Sequence, residues 1–530
     1  MFLKIFGYLE HTKMGFREWS LSLLGIIFVR TFLENFSGRS RDTVFSTDVQ
    51  TIIHYAVSYF FIIFVVLLIT HFFSKKDIIS VSRVVLFGAL IMCLPPLVDL
   101  VVTMGGSVKI AYLFTSSELL FSNFLTFLAI GLPGISIGIR IEFLVILALI
   151  FVYVHLYSRS IFRSCAAVAS TYVAFFVFYA MPNFFAIDTT YEWISSVKNS
   201  LVGQNFFHPA ITFVSVERYF EMYFNVVMSQ IFYLSMIPLS FIFVSRWNPL
   251  KLRAILANSR FERVLHYFAM IAIGMAIAYY YGLITVTLDW FTATSIFILF
   301  FSFYAAWMYA IGKNDIVDLV SDKISNPNRP MVTGALTIED METSSLIFLV
   351  FALLGGYLVG HYALYMVVTF IALSYVYSVP PLQLKRFVII NSFIISLAAL
   401  SAALAGFFTM SSNPHINALP LQWVVLIVVA YTLLANIKDI KDIKGDAAVG
   451  VYTVPVLCGL QRGKQIIAGM SVVALAMVPL ISGISTLWYP FLPFAMASWY
   501  LLTRVNFKEK DLFTLYFMYL LVCSFCVVFL

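Results

Sequence analysis

Apolar runs of about 20 residues, the helical length that crosses a hydrocarbon core of about 30 Å, recur from one end of this chain to the other. Ile52–Phe73, Ser164–Ala186, Met222–Val244 and Leu265–Thr285 are examples, and the shorter run Trp423–Ile437 is of the same kind. A backbone in lipid must satisfy its own hydrogen bonds, so such runs leave only helices or closed barrels. Barrel strands of about 10 residues alternate in polarity, and that alternation is missing here. The expected fold is therefore an all-α integral membrane protein. The charged fraction of 11% against about 25% in soluble domains agrees.

The formal charge of +7 sits in short loops between apolar spans, so membrane orientation explains it and no nucleic-acid partner is expected. Residues 1–19 lack a small-residue cleavage site, and no removable signal peptide is expected. The five cysteines form no disulfide framework.

Beyond residue 263, Lys/Arg-rich loops alternate with loops that contain neither residue. The basic ones hold Lys313, Lys323 and Arg329, then Lys385 and Arg386, then Lys438 to Lys464, then Arg504 to Lys510. By the positive-inside rule these loops face the cytoplasm of a cell membrane, and about nine spans fit between Leu265 and Leu530. Before it, six spans are expected: Ser20–Phe36, Ile52–Phe73, Val84–Met104, Ile139–Tyr157, Ser164–Ala186 and Met222–Val244. Ala111–Leu132 is read as interfacial or re-entrant, and Asp188–Glu221, with His208, as a long external loop. The basic linker Arg246–Arg263 divides an N-terminal domain, 1–262, from a C-terminal one, 263–530. Arg30 and Glu34 are expected to neutralise one another, while Glu118, Arg140 and Glu142 are expected to snorkel at membrane edges.

Chemistry concentrates in two acidic clusters, Asn314-Asp315…Asp318…Asp322 and Asp439…Asp442…Asp446, which share the spacing 0, 3, 7. On one α-helix that spacing places three carboxylates within about 60° of each other. Carboxylates so close repel and call for a cation, and oxygen-only ligands suit Mg²⁺ shared with substrate phosphates. Arg329, Lys385 and Arg386 can pair with phosphate oxygens; orientation alone also accounts for Lys385 and Arg386. Ordinary solvated loop acids or an ion-coupled transporter are the competing explanations. Identical spacing weakens the first; that neither cluster sits mid-span, and the absence of paired broken helices, weaken the second.

The run NDIVDLVSDKISNPNRPMVTG at Asn314–Gly334 resembles the first signature of the UbiA superfamily of intramembrane prenyltransferases. YSVPPLQLKR at Tyr377–Arg386 and KDIKDIKGDAAVGVYTVPVLCG at Lys438–Gly459 are similar to that family's later landmarks, in the same order. The resemblance covers approximately Arg263–Leu530. It implies a nine-helix UbiA-like bundle with a polar cavity capped by cytoplasmic loops, preceded here by about six helices of no recognised family. It further implies Mg²⁺ held by Asn314, Asp315, Asp318, Asp322, Asp439, Asp442 and Asp446, with Asp315, Asp318, Asp442 and Asp446 foremost. The bound prenyl diphosphate would meet Arg329, Lys385, Arg386 and Tyr377, ionise, and be captured by an aromatic or lipid acceptor. Ser325 and Asn326 stand where many members have Asn-Arg, and Ala447-Ala448 replace polar or basic residues.

Overall fold

The protein is described from a computed structural model that covers residues 2–37, 49–103, 112–129, 132, 135–185, 187, 191–202, 216–284, 286–413, 415–506 and 508–529. Its ordered elements are all helical, with no strand among the described residues. Among the described residues, twelve helical segments are long and apolar enough to cross a membrane. This is an integral, multi-pass membrane protein.

The chain divides into two compact units, Met1–Lys198 with Pro209–Leu252, and Asn199–His208 with Arg253–Leu530. The break falls inside the basic linker, ahead of residue 263, because Asn258 and Arg260 are held by Asp315 of the second unit.

Among the described residues the first unit carries six long helical segments: Phe16–Ser37, Val49–Ser74, Ile78–Val102, Ile137–Ser158, Ile161–Phe184 and Val216–Trp247. Asp77, Ser136 and Ser160 begin three of them as N-caps, each side chain accepting a backbone N–H of the first turn. Between Ala111 and Leu132 lies a helix of nine residues, Ser117–Leu125, about 13 Å long and too short to cross. The expected external loop contains the helix Tyr191–Asn199, and His208 lies outside the described residues. Arg30 pairs with Glu34, and its guanidinium lies 4.5 Å over the Tyr59 ring. Glu118 is exposed, but Arg140 and Glu142 are buried rather than snorkelling. Both sit in the first turns of Ile137–Ser158, whose start is packed inside the unit.

The second unit contains nine long helices among the described residues. They are Phe261–Tyr280, Trp290–Val317, Ile338–Val359, His361–Ser378, Ile390–Met410, Leu421–Leu434, Leu460–Ser482, Trp488–Thr503 and Glu509–Phe529. Two of these pack backbone to backbone: a Cβ on Gly274 would lie 1.9 Å from the Ala403 carbonyl oxygen, and one on Gly406 2.0 Å from that of Ile271. Small residues at a crossing let helices approach where lipid offers no hydrophobic driving force. That contact fixes the Phe261–Tyr280 and Ile390–Met410 helices as adjoining walls of the cavity described next.

Candidate functional site

Asp289 caps the Trp290–Val317 helix by accepting the Thr292 N–H at 2.8 Å, and the helix runs unbroken to the first acidic cluster. It ends there. Asp318 has φ −87° and ψ 7°, and a separate short helix, Leu319–Ser325, follows. The expected single helical face for this cluster is therefore corrected: the turn at Asp318 puts Asp315 on one helix and Asp322 on the next. The second cluster keeps one helix, Asp439–Ala448, entered through a 3₁₀ turn at Ala435–Lys438.

The break separates the roles of the first three acids. Asp315 is 2% exposed and is not part of the cavity wall. It accepts from Asn258 at 2.8 Å, from Arg260, and from Arg329 at 3.3 Å. Asp318 and Asp322 line the cavity instead, Asp318 paired with Lys385 and Asp322 with Arg329. Burial raises the Asp322 carboxyl above its ordinary range, against the opposing pull of Arg329. Burial lowers the Lys385 ammonium, and the Asp318 charge opposes that.

Two short helices carrying the clusters face each other. The Asn326 amide donates to Asp322 and to Asp442, both at 3.2 Å, and the Ser325 hydroxyl accepts the Gly445 N–H at 2.9 Å. Ser325 and Asn326, which the sequence shows only as departures from a family pattern, thus bridge the clusters. Gly445 makes their approach possible, since a Cβ there would lie 2.3 Å from the Ser325 hydroxyl and 3.0 Å from the Ser321 carbonyl oxygen. Gly445→Ala is expected to push the helices apart and lower kcat/KM by about tenfold to a hundredfold, the effect of misplacing reacting groups by about 1 Å. Steady-state kinetics checks this.

The facing clusters close one end of a cavity of about 370 Å³. Asp318, Asp322, Asp439, Asp442 and Asp446 line it, with Asn314, Arg329, Lys385, Arg386 and Tyr377. Asn314 accepts from Ser378 at 2.9 Å and from Lys385 at 3.4 Å. Asp439 is held by Lys438 at 2.8 Å and by the Asn391 amide at 3.2 Å. Lys438 also donates to the Tyr377 hydroxyl at 3.0 Å, so that ring is already engaged with a cation. Asp442 and Asp446 form no ion pair among the described residues, and Arg386 is exposed at the cavity wall. Glu509 joins the wall from the last helix, bound by Arg263 at 2.9 Å and Lys441 at 2.6 Å. Apolar and aromatic residues make up much of the remaining wall, including Ile311, Leu373, Ile394, Ala398, Leu434 and Phe513, alongside polar ones such as Arg260, Arg263, Ser374 and Thr453.

Among the described residues no three Asp, Glu, His or Cys side chains converge closely enough to cage a metal ion. The donor set is nonetheless all oxygen, which suits Mg²⁺. That ion is bound through one or two carboxylates, with substrate phosphates and water completing its octahedron, rather than by an all-protein cage. Asp442 and Asp446 on one helix, and Asp318 and Asp322 across from them, fit such partial coordination.

Residues such as Asn258, Arg260, Asn326, Lys438 and Gly445 belong to this site without having been singled out from sequence as candidates. Asn326, Lys438 and Gly445 carried a signal, by lying within or beside the acidic motifs.

Residues 263–521 match the sequence model of the UbiA prenyltransferase family, and no family model matches the N-terminal half. Chlorophyll synthase from Oryza sativa subsp. japonica is 31% identical over 166 residues, 29% of this chain and 43% of that protein. Digeranylgeranylglyceryl phosphate synthase from Sulfurisphaera tokodaii is 30% identical over 164 residues, 30% of this chain and 56% of that protein. The matched stretch spans less than half the length of the rice relative. A solved UbiA homolog from Archaeoglobus fulgidus bound to GPP and Mg²⁺ superposes with a TM-score of 0.41 at 18% identity, covering 51% of this chain and 96% of that one. Residues 263–521 of this protein belong to the UbiA prenyltransferase family.

Proposed function

We propose that the C-terminal unit transfers a prenyl group from an isoprenoid diphosphate to a membrane-associated acceptor, a quinone or lipid precursor, at the cytoplasmic face of a cell membrane. The observation that carries this reading is one cavity with two acid-bearing helices facing each other at one end and an apolar, aromatic wall beyond them. A prenyl diphosphate has the same division, a polyanionic head and a hydrocarbon tail. The match of residues 263–521 to the UbiA prenyltransferase family model supports the reading.

Asp318, Asp322, Asp442 and Asp446 would hold Mg²⁺, with Asn314 and Asp439 beside them; Asp315 acts from outside the wall by fixing Arg260 and Arg329. Magnesium bound there supplies the charge that lets diphosphate approach carboxylates and depart as a stabilised anion. Arg329, Lys385 and Arg386 add fixed positive charge at the same end, where negative charge grows on the leaving oxygen as the allylic C–O bond breaks. The apolar wall keeps water from the allylic cation until the acceptor takes it. The distribution of basic loops supports a cytoplasmic opening.

The test uses purified full-length protein in lipid nanodiscs with radiolabelled geranylgeranyl diphosphate and candidate acceptors. Prenylated product and inorganic diphosphate are expected with Mg²⁺ and should fall to background with EDTA. Mg²⁺-dependent association without C–O cleavage would replace this reading with a binding or transport function.

A further inference from the structure

His266 lines the cavity from the second turn of the Phe261–Tyr280 helix and is 1% exposed. Arg260, which stands at the N-cap of this helix, pairs with Asp315 at the level of the acids, so the imidazole lies about 7 Å of helical rise further into the bundle. Its ring is fixed on two sides. It stacks on Tyr431 with centroids 4.1 Å apart and planes at 9°, and Nδ1 lies 3.2 Å from the Tyr516 hydroxyl. Nε2 is buried with no hydrogen-bond partner among the described residues. The indole N–H of Trp307, another wall residue, is taken by the Ser259 carbonyl at 2.9 Å.

Leaving a buried polar atom unpaired is costly, and such atoms are few in folded proteins. A ring clamped by Tyr431 and Tyr516 cannot turn Nε2 elsewhere at no cost. The tail of a prenyl diphosphate is hydrocarbon and offers this nitrogen nothing. Of the two substrates that prenyl transfer requires, only the acceptor brings a polar group to this depth. A hydroxyl meets the need best, because it donates or accepts and so suits either tautomer that the Tyr516 contact selects.

We propose that His266 Nε2 binds the acceptor substrate through a hydrogen bond to a hydroxyl of that substrate; the proposal rests on the prenyl-transfer reading. His266 then sets acceptor choice, while the acidic end sets binding of the diphosphate. A site built around such a bond discriminates strongly against analogues without the hydroxyl.

Full-length wild type, His266→Phe and His266→Gln in nanodiscs test this with geranylgeranyl diphosphate and Mg²⁺. The acceptor probes are a phenol, 4-hydroxybenzoate, and an alcohol, geranylgeranylglyceryl phosphate, and the two distinguish aromatic from lipid acceptors. His266→Phe is expected to raise KM for the accepted probe about tenfold to a hundredfold, with KM for geranylgeranyl diphosphate changed less than twofold. His266→Gln, whose amide reaches the same point, should recover most of the loss and retains a testable protein if the Phe variant does not fold. An unchanged acceptor KM, or equal rises for both substrates, overturns the proposal. So does wild-type protein that releases diphosphate yet captures neither probe. Wild type that neither releases diphosphate nor forms product overturns the prenyl-transfer reading itself, and this one with it.

Discussion

Asp442→Ala and Asp446→Ala are each expected to lower kcat/KM for prenyl transfer by about 10³-fold, while the half-denaturation temperature in detergent stays near that of wild type. A rate loss of that size corresponds to ~4 kcal/mol, within the several kcal/mol that a metal's charge stabilisation contributes. Both carboxylates lie on the Asp439–Ala448 helix at the cavity wall and form no ion pair among the described residues. Removing either strands no buried cation. Asp315→Ala should behave oppositely. Its carboxylate is buried under Arg260 and Arg329, and breaking a buried pair by deleting one partner costs about 3–5 kcal/mol. That variant should lose thermal stability before its metal dependence can be compared. If Asp442→Ala retained wild-type turnover at saturating Mg²⁺, the role given to the second cluster would be wrong.

A second large stability effect is expected from Gly406→Val. The new Cβ would lie 2.0 Å from the Ile271 carbonyl oxygen, a backbone atom that cannot step aside without moving its helix. Overpacking typically costs about 1–3 kcal/mol, and this contact is expected at or beyond the upper end because both partners are backbone. Gly469→Ala provides the control: it also lies in a helix, a Cβ there meets nothing within 4 Å, and helix propensity favours Ala by up to about 1 kcal/mol. Thermal unfolding of the two variants in the same detergent should therefore shift in opposite directions, or for Gly469→Ala not at all.

The membrane class and most helices of the second unit were legible in the sequence because a span needs only length and apolarity, both local properties. The acidic clusters were legible for the same reason: their residues are neighbours in the chain. What misled was assuming that the shared spacing meant shared geometry. Asp439, Asp442 and Asp446 stay on one helix, but the helix carrying the first cluster stops at Asp318, so Asp315 and Asp322 sit on successive helices and meet only through Arg329. Arg140 and Glu142 show the same limit in the first unit. Their charges suggested a membrane edge, whereas the packing around the Ile137–Ser158 helix buries both.

The amino-acid sequence by itself determined an all-helical membrane protein, the family of its C-terminal half, and an oxygen-rich pair of acidic motifs. Tertiary structure alone decided that Asn326 and the missing side chain of Gly445 join the motifs, that Asp315 anchors two arginines outside the cavity wall, and that His266 holds in it a buried nitrogen with no partner among the described residues. The physical reason is distance along the chain. Asn258 and Asp315, or His266 and Tyr516, meet only after helices have packed, and no local pattern records which side chain a neighbour will satisfy or leave unpaired.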